Sequence, residues 1–595
     1  MLRILTGVVL VLSLIVSAVG CTKRQSSDEP QGKVLHLPLK DNMRTADPVN
    51  MYDIVGGDVL YQIYETPYQY NYFSEKNELI PLLADGMPTT SKDGLTFTMK
   101  IKKGVRYQDD ECFKATNGKG RELKAEDFIY AWKRHSNPKN ESQGLWVFDG
   151  KVVGMSEFGK KFGGKPDDEV MKETIEGFTA LDDHTIQIKL LKPYPQLTNV
   201  MGMTFTSPMP PECAQMYGKD MTRHPIGTGP MRVKSYDPTY KIVLVKNENF
   251  RGETFPKLED IAPKYRADAA AYAGKTLPLV DAMVFEVVKE EQPRWLGFMT
   301  GKFDQIELPK DNFGSAVKDG NQISDELKAK GVQLSTEPAL SLWWLAINMK
   351  DPILGQNKYL RQAIASAVDR ETWLRLIKNG RGVLQNEVNP PAVSDRCGNE
   401  YRWTFDLKRA KELMVKAGFP EGKGLPVFKY DTRNGEMSER QIAELISKNL
   451  AQIGVKVEVV QNTFPAYLDK SHKGNLQLSK GGWVMDYPDP ENNYQLLYGP
   501  NKAPGPNDSN FDNAEYNKLY EKMALAPSSP ARRKLVCELE KVIQEEAPWG
   551  YGFYENMYRL SNKWVKNFHT AELVFTKWKY VDVDQQVRAT TVANR

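Results

Sequence analysis

The chain has 595 residues, and its 80 basic and 76 acidic side chains leave a formal net charge of +4. Hydrophobic residues make up 41%, charged residues 26% and aromatic residues 10%, the ordinary usage of a soluble globular protein. With no basic stripe, this balance argues against nucleic acid as a partner, and the length implies two or three domains.

Residues 1–20 read as a signal peptide. Met1-Leu2-Arg3 carries one positive charge, residues 4–19 are almost unbroken apolar sequence, and Ala18-Val19-Gly20 sets small side chains before Cys21. Charged, apolar and small-residue regions in that order mark export, and the run is shorter than the ~20 residues of a membrane span. A cysteine at the cleavage point resembles a bacterial lipobox, with Ala18 where leucine is usual. Cys21 is then the expected lipidation site and membrane anchor. The plainer alternative is an ordinary signal peptide with an incidental cysteine. Residues 21–32 (CTKRQSSDEPQG) are polar and read as a flexible tether.

Beyond the tether, strand and helix signals alternate. Leu95, Phe97, Met99 and Ile101 alternate with polar residues and predict a half-buried strand. Residues 124–134 predict a helix with Phe128, Ile129 and Trp132 facing inward. Residues 185–190 and 241–246 predict two more strands, while 151–169 and 255–277, rich in Gly, Lys, Ala and Asp, read as surface insertions. Helices are predicted over 359–378 and 407–417, the second closed by Gly418. A strand over 425–430, a helix over 438–453 and a strand over 455–460 predict a βαβ unit and a partly parallel sheet. Ser438 is the expected cap of that helix, with Gln441 at the capping-box position. The whole reads as α/β, mixed sheets covered by helices.

The chemistry-bearing residues favour binding over catalysis. There is no GxSxG elbow and no HExxH. The six histidines (His36, His135, His184, His224, His472, His569) are scattered, and no histidine or cysteine cluster suits a metal such as nickel. No cofactor and no metal are expected. Cys112, Cys213, Cys397 and Cys537 permit up to two disulfides in an oxidising compartment, with the pairing left open by their spacing. Gly227-Thr228-Gly229 lacks the lysine of a phosphate loop and reads as a turn in which glycine supplies positive φ.

Four blocks in order carry a family resemblance. The first is LADG at 83–86, DGLTF at 93–97, IKKGVRY at 101–107 and AEDFIYAWKR at 125–134. PIGTGP at 225–230 with KNENF at 246–250 is the second, and LRQAI at 360–364 with VDRE at 368–371 the third. The fourth is GWVMDYPDP at 482–490 with NAEY at 513–516. Together they resemble the extracellular solute-binding proteins of the dipeptide and oligopeptide type that serve ABC importers. The resemblance implies a two-lobed periplasmic-binding-protein-like fold with an extra domain and a hinged cleft between the lobes. Carried over, lobe I takes 33–75, 206–337 and 550–595, the extra domain 76–205 and lobe II 338–549. The implied function is non-catalytic: a monomer facing the periplasm or cell exterior closes on a short peptide and delivers it to permease subunits. A sugar, a nickel complex or a signalling peptide are the alternative ligands, and a secreted hydrolase the alternative class.

The same resemblance marks site residues. Asp486 is expected to pair with the peptide's ammonium, although Asp and Pro at 486–490 equally suit a turn. Trp483 is expected to form an apolar wall, and Gly482 and Val484 to offer backbone hydrogen bonds beside it. Lys480 stands where relatives carry a cation for the carboxylate end, or is a solvated surface charge. Phe464 lines a pocket or packs in the core. Across the cleft, Tyr52, Asp53 and Ile54, after Ala46-Asp47-Pro48, are expected to supply the opposite wall.

Overall fold

The structure, a computed structural model, describes residues 30–594 except 52, 399 and 434–436. The signal peptide, Cys21 and Tyr52 therefore lie outside the described residues.

Alternating side chains on the strands at 34–39 and 241–246 dictate a sheet with two buried faces. Val34–Leu39, Ala282–Val287, Lys241–Lys246 and Met231–Asp237 lie in that order, the first pair parallel and the rest antiparallel. Leu35, Leu37, Ile242, Leu244, Met283 and Phe285 fill one face against Trp564 and Trp578. The alternate residues Val34, Val243, Ala282 and Val284 form a small cluster on the other face, as a period of two requires.

A second, antiparallel sheet has the order Thr89–Thr90, Thr96–Lys100, Thr185–Lys189, Phe178–Asp182. Phe97, Met99, Ile186 and Ile188 meet Phe128, Ile129 and Trp132 of the helix Ala125–Arg134 in one core. The supposed insertion 151–169 joins it: Val152, Met155 and Phe158 are buried there. Phe255, Ile261, Ala269 and Leu277 of the other supposed insertion are likewise buried, against Tyr72, Phe73 and Tyr580. Their apolar residues are too sparse for a periodic signal, yet each is inserted fully.

The third sheet holds the molecule together. Its order is Gln305–Glu307, Trp549–Asn562, Val332–Ile347, Leu478–Val484, Phe428–Asp431, Val457–Val460, with Gly382–Leu384 also on Trp549–Asn562. Val332–Ile347 and Trp549–Asn562, 16 and 14 residues long, pair antiparallel from Val332↔Asn562 to Ala346↔Trp549. One end of the pair packs with Phe298, Phe303 and Ile306. The other end lies in a separate large core with Trp344, Ile364, Tyr430 and Ile446. A register break between Pro338 and Leu342 falls between the two cores. The architecture is α/β, two lobes joined through crossing strands with a cleft between them and an extra domain alongside.

The βαβ unit is present: Phe428–Asp431 and Val457–Val460 pair in parallel across the helix Met437–Ala451. Ser438 lies inside the first turn of that helix, so it is not the cap. The helix predicted over 359–378 is broken. Lys358–Ala367 ends at Val368, and Asp369 caps a new start by accepting from the Thr372 N–H. Trp373–Ile377 then continues as a π-helical turn. The disulfides are Cys112–Cys213 and Cys397–Cys537, with Cα atoms 4.9 and 5.0 Å apart. Gly227 and Gly229 serve close approach and not positive φ, since a Cβ on either would overlap backbone carbonyls of Gln62 and Ile63.

Candidate functional site

The strand Leu478–Val484 is the floor of the site. One edge pairs with Val332–Ile347 over its whole length, from Ile347↔Leu478 to Ser341↔Val484. On the other edge only Leu478 and Ser479 have partners, Tyr430 and Asp431. Among the described residues, 480–484 thus present an edge that no strand continues. Glycine at 481 and 482 has a packing cause, because a Cβ would enter the rings of Trp344 and Trp343. Gly482 and Trp483 are half-buried, and Val484 is 43% exposed at the open end.

The chain then turns over a small apolar cluster of Leu340, Val393 and Met485, anchored by Met485 N–H to Leu340 O at 2.9 Å. Trp483 and Leu573 pack on that cluster. The next residue, Asp486, is half-buried. The amide of Asn492, itself 0% exposed, holds it. Asn492 Oδ1 accepts from the Asp486 N–H and from Trp483 Nε1, both at 3.0 Å, and Nδ2 donates to Asp486 Oδ2 at 2.9 Å.

Two further carboxylates lie close by, each with its own partners. Asp489 receives Arg532 Nη1 and Nη2 at 2.8 and 2.5 Å and caps the helix Pro490–Tyr494. Glu491 accepts from the hydroxyls of Tyr487 and Tyr520 at 2.6 and 2.7 Å. Tyrosines from the opposite side complete the surroundings. Burial, with the charges of Asp489 and Asp486, drives the Tyr70 phenol well above its ordinary value. Burial, with Glu491 and Asp486, does the same to Tyr194. The Tyr70 hydroxyl is buried with no hydrogen-bond partner. Lys151 Nζ donates to Trp146 O at 2.9 Å and to the Tyr194 hydroxyl at 3.1 Å, and burial lowers it to about 8. Tyr487 is buried in one core with Trp132 and Phe178, and Gln196 Nε2 donates to Ala524 O at 2.9 Å, so segments 76–205 and 338–549 are in contact here.

Each of the other expected residues has its own surroundings. Lys480 is not a solvated charge: it is ion-paired with Glu439, with side chains 11% and 5% exposed. Its ammonium lies 4.8 Å from the centre of the Trp343 ring, and burial lowers it despite Glu439. Trp343, unforeseen from sequence, also faces Lys378 at 5.2 Å and donates to Glu555 at 3.0 Å. Asp53 caps the helix Ile54–Leu60 by accepting from the Gly56 N–H at 2.8 Å, while Ile54 is 40% exposed. Phe464 opens the helix Phe464–His472. Asn492, Tyr70 and Tyr194 were not foreseen. Asn492 follows directly on the 482–490 block, but an asparagine there carries no sign of which groups it bonds.

The chain is similar to known proteins along most of its length. The family described as "Bacterial extracellular solute-binding proteins, family 5 Middle" matches residues 78–505. The oligopeptide-binding protein OppA of Bacillus subtilis is 26% identical over 559 residues, covering 91% of each chain. Heme-binding protein A of Haemophilus influenzae is 26% identical over 488 residues, 79% of this chain and 78% of its own. The solved structure of the Helicobacter pylori periplasmic binding protein DppA with the peptide STSA superposes with a TM-score of 0.70 at 22% identity, covering 93% of this chain and 98% of that one.

Proposed function

The chain belongs to the bacterial extracellular solute-binding proteins of family 5, and on that premise we propose that it captures short peptides for an ABC importer and catalyses nothing. The observation that carries the reading is the strand edge at 480–484, which no strand continues among the described residues and which leads into the Asp486 carboxylate. A peptide's backbone can extend such an edge whatever its side chains, and a carboxylate at the end can take its ammonium. Both contacts strengthen when the cleft closes and water leaves, since a low local dielectric raises the value of each charge pair. Tyr70 and Tyr194, brought in by the facing side, supply contacts that exist only in the closed form, which is how a ligand selects closure.

In this reading lobe I comprises 33–75, 206–337 and 550–595, the extra domain 76–205 and lobe II 338–549. Ile54 and the backbone at 53–54 form the facing wall. The protein is exported, tethered through lipid on Cys21, and works as a monomer that hands its ligand to permease subunits. Asp486→Asn should weaken binding of free-amino peptides by about 2 kcal/mol or more, the scale for losing one partner of a desolvated charge pair. Isothermal titration with a peptide and its N-acetyl form tests this. The acetylated form should bind the wild type poorly, and equal affinity for both forms would remove the amino anchor. A non-peptide solute in the same cleft is the second reading, supported by the heme-binding relative; a porphyrin retained by the purified protein would favour it.

A further inference from the structure

The three carboxylates at the end of the strand are not equivalent. Asp489 is neutralised by a two-pronged Arg532 contact, and Glu491 is held by two phenols. Asp486 is held by an amide with 0% exposure whose every polar atom is engaged. Chemistry fixes the orientation of that amide. The backbone N–H of Asp486 and the indole N–H of Trp483 can only donate, so the Asn492 oxygen must face both, and the NH₂ is left to face the carboxylate. An aspartate of the same shape can serve the two donors but sets a second negative charge against Asp486. A leucine of similar size serves none of the three. Asparagine is the side chain that satisfies all of them.

We infer that Asn492 is a positioning residue for ligand recognition: one buried amide sets the Asp486 carboxylate and the Trp483 ring together at the end of the strand edge and holds the carboxylate in its ligand-facing orientation. This rests on the peptide reading of the site proposed above. Asn492 touches no ligand itself. It joins the charged contact and the apolar contact into one rigid unit, so that discrimination for a free amino terminus depends on a residue hidden beneath it. Among the described residues, Tyr70 and Tyr194 also face Asp486 from the opposite side, with Tyr487, Asp489, Glu491, Arg532 and Lys151 around them.

The test is the ratio of Kd values for an N-acetylated and a free-amino form of one peptide, measured on the full mature chain by titration calorimetry. Asn492→Leu should cut that ratio about tenfold while leaving the acetylated peptide's Kd within about threefold. A purely structural amide would instead weaken both peptides alike and leave the ratio unchanged, which would overturn the inference. Asn492→Asp keeps both acceptor bonds and guards against a folding defect. Its two adjacent carboxylates cannot both ionise freely, so a shared proton competes with the ligand's ammonium. Its ratio, taken relative to wild type at each pH so that the peptide's own ionisation cancels, should be at least fivefold lower at pH 6 than at pH 8. A relative ratio flat with pH would contradict the inference. Asp486→Asn separates the two levels. If it leaves the ratio unchanged, the anchor reading itself fails. If it abolishes the ratio while both Asn492 variants keep it, the anchor stands and the role given to Asn492 falls.

Discussion

Lys480 and Asp486 stand in one sequence block, yet their surroundings assign them different work. Lys480 is bonded to Glu439, whose side chain is 5% exposed, and lies over Trp343. Removing one member of a buried ion pair leaves the other unpaired, at a cost of about 3–5 kcal/mol. Lys480→Met should therefore lower the denaturant midpoint sharply, and adding Glu439→Gln should recover most of the loss. If Lys480→Met leaves stability intact and weakens only peptides with a free carboxylate over their amides, Lys480 is a ligand contact after all. Asp486 was marked as a candidate by the family resemblance, through its spacing from the Gly-Trp pair. Asn492 was not, because its partners at 483 and 486 are chosen by the turn over Leu340 and Met485. Nor was the need for Gly481 and Gly482, which comes from tryptophans on a neighbouring strand far away in sequence.

Elements were legible where local pattern and tertiary packing agree. The strand at 241–246, the helix at 407–416 and the parallel βαβ unit follow their apolar periodicity. The helix expected across 359–378 failed because Asp369 and Asn449 offer the backbone other bonds. Asp369 accepts from the Thr372 N–H, and its own N–H donates to Asn449 Oδ1 at 3.0 Å. The helix Pro530–Glu546 holds a different surprise, Glu540 on its buried face with 0% exposure. Burial, aided by the charge of Glu387, raises this carboxyl to about 7 against hydrogen bonds from Tyr494, Val388 and Tyr551. A carboxyl raised in the folded state contributes stability that is full below its unfolded value near 4.5 and is lost as pH rises through 7. Glu540→Gln imitates the protonated form. It should stabilise the protein at pH 8 by on the order of 2 kcal/mol and change little at pH 4.5. Denaturation at the two pH values checks this, and an equal effect at both would show that Glu540 is not titrating between them.

At the scale of the molecule, two long strands tie separate cores together, and their register breaks between those cores at 338–342. Tyr487 lies in one core with Trp132 and Phe178, and Gln196 bonds Ala524 O, so segments 76–205 and 338–549 meet in this structure. The resemblance in four sequence blocks made this architecture legible, while the sheet running through both lobes was not, since its order joins segments from 305 to 562. The proposed occupant of the 480–484 edge is a peptide. Native mass spectrometry of the mature chain, purified without denaturation from its expression host, tests it directly. The expected result is a ladder of added masses matching short peptides, absent or much reduced in Asp486→Asn. A single added mass that fits no peptide, or equal occupancy in wild type and Asp486→Asn, would contradict it.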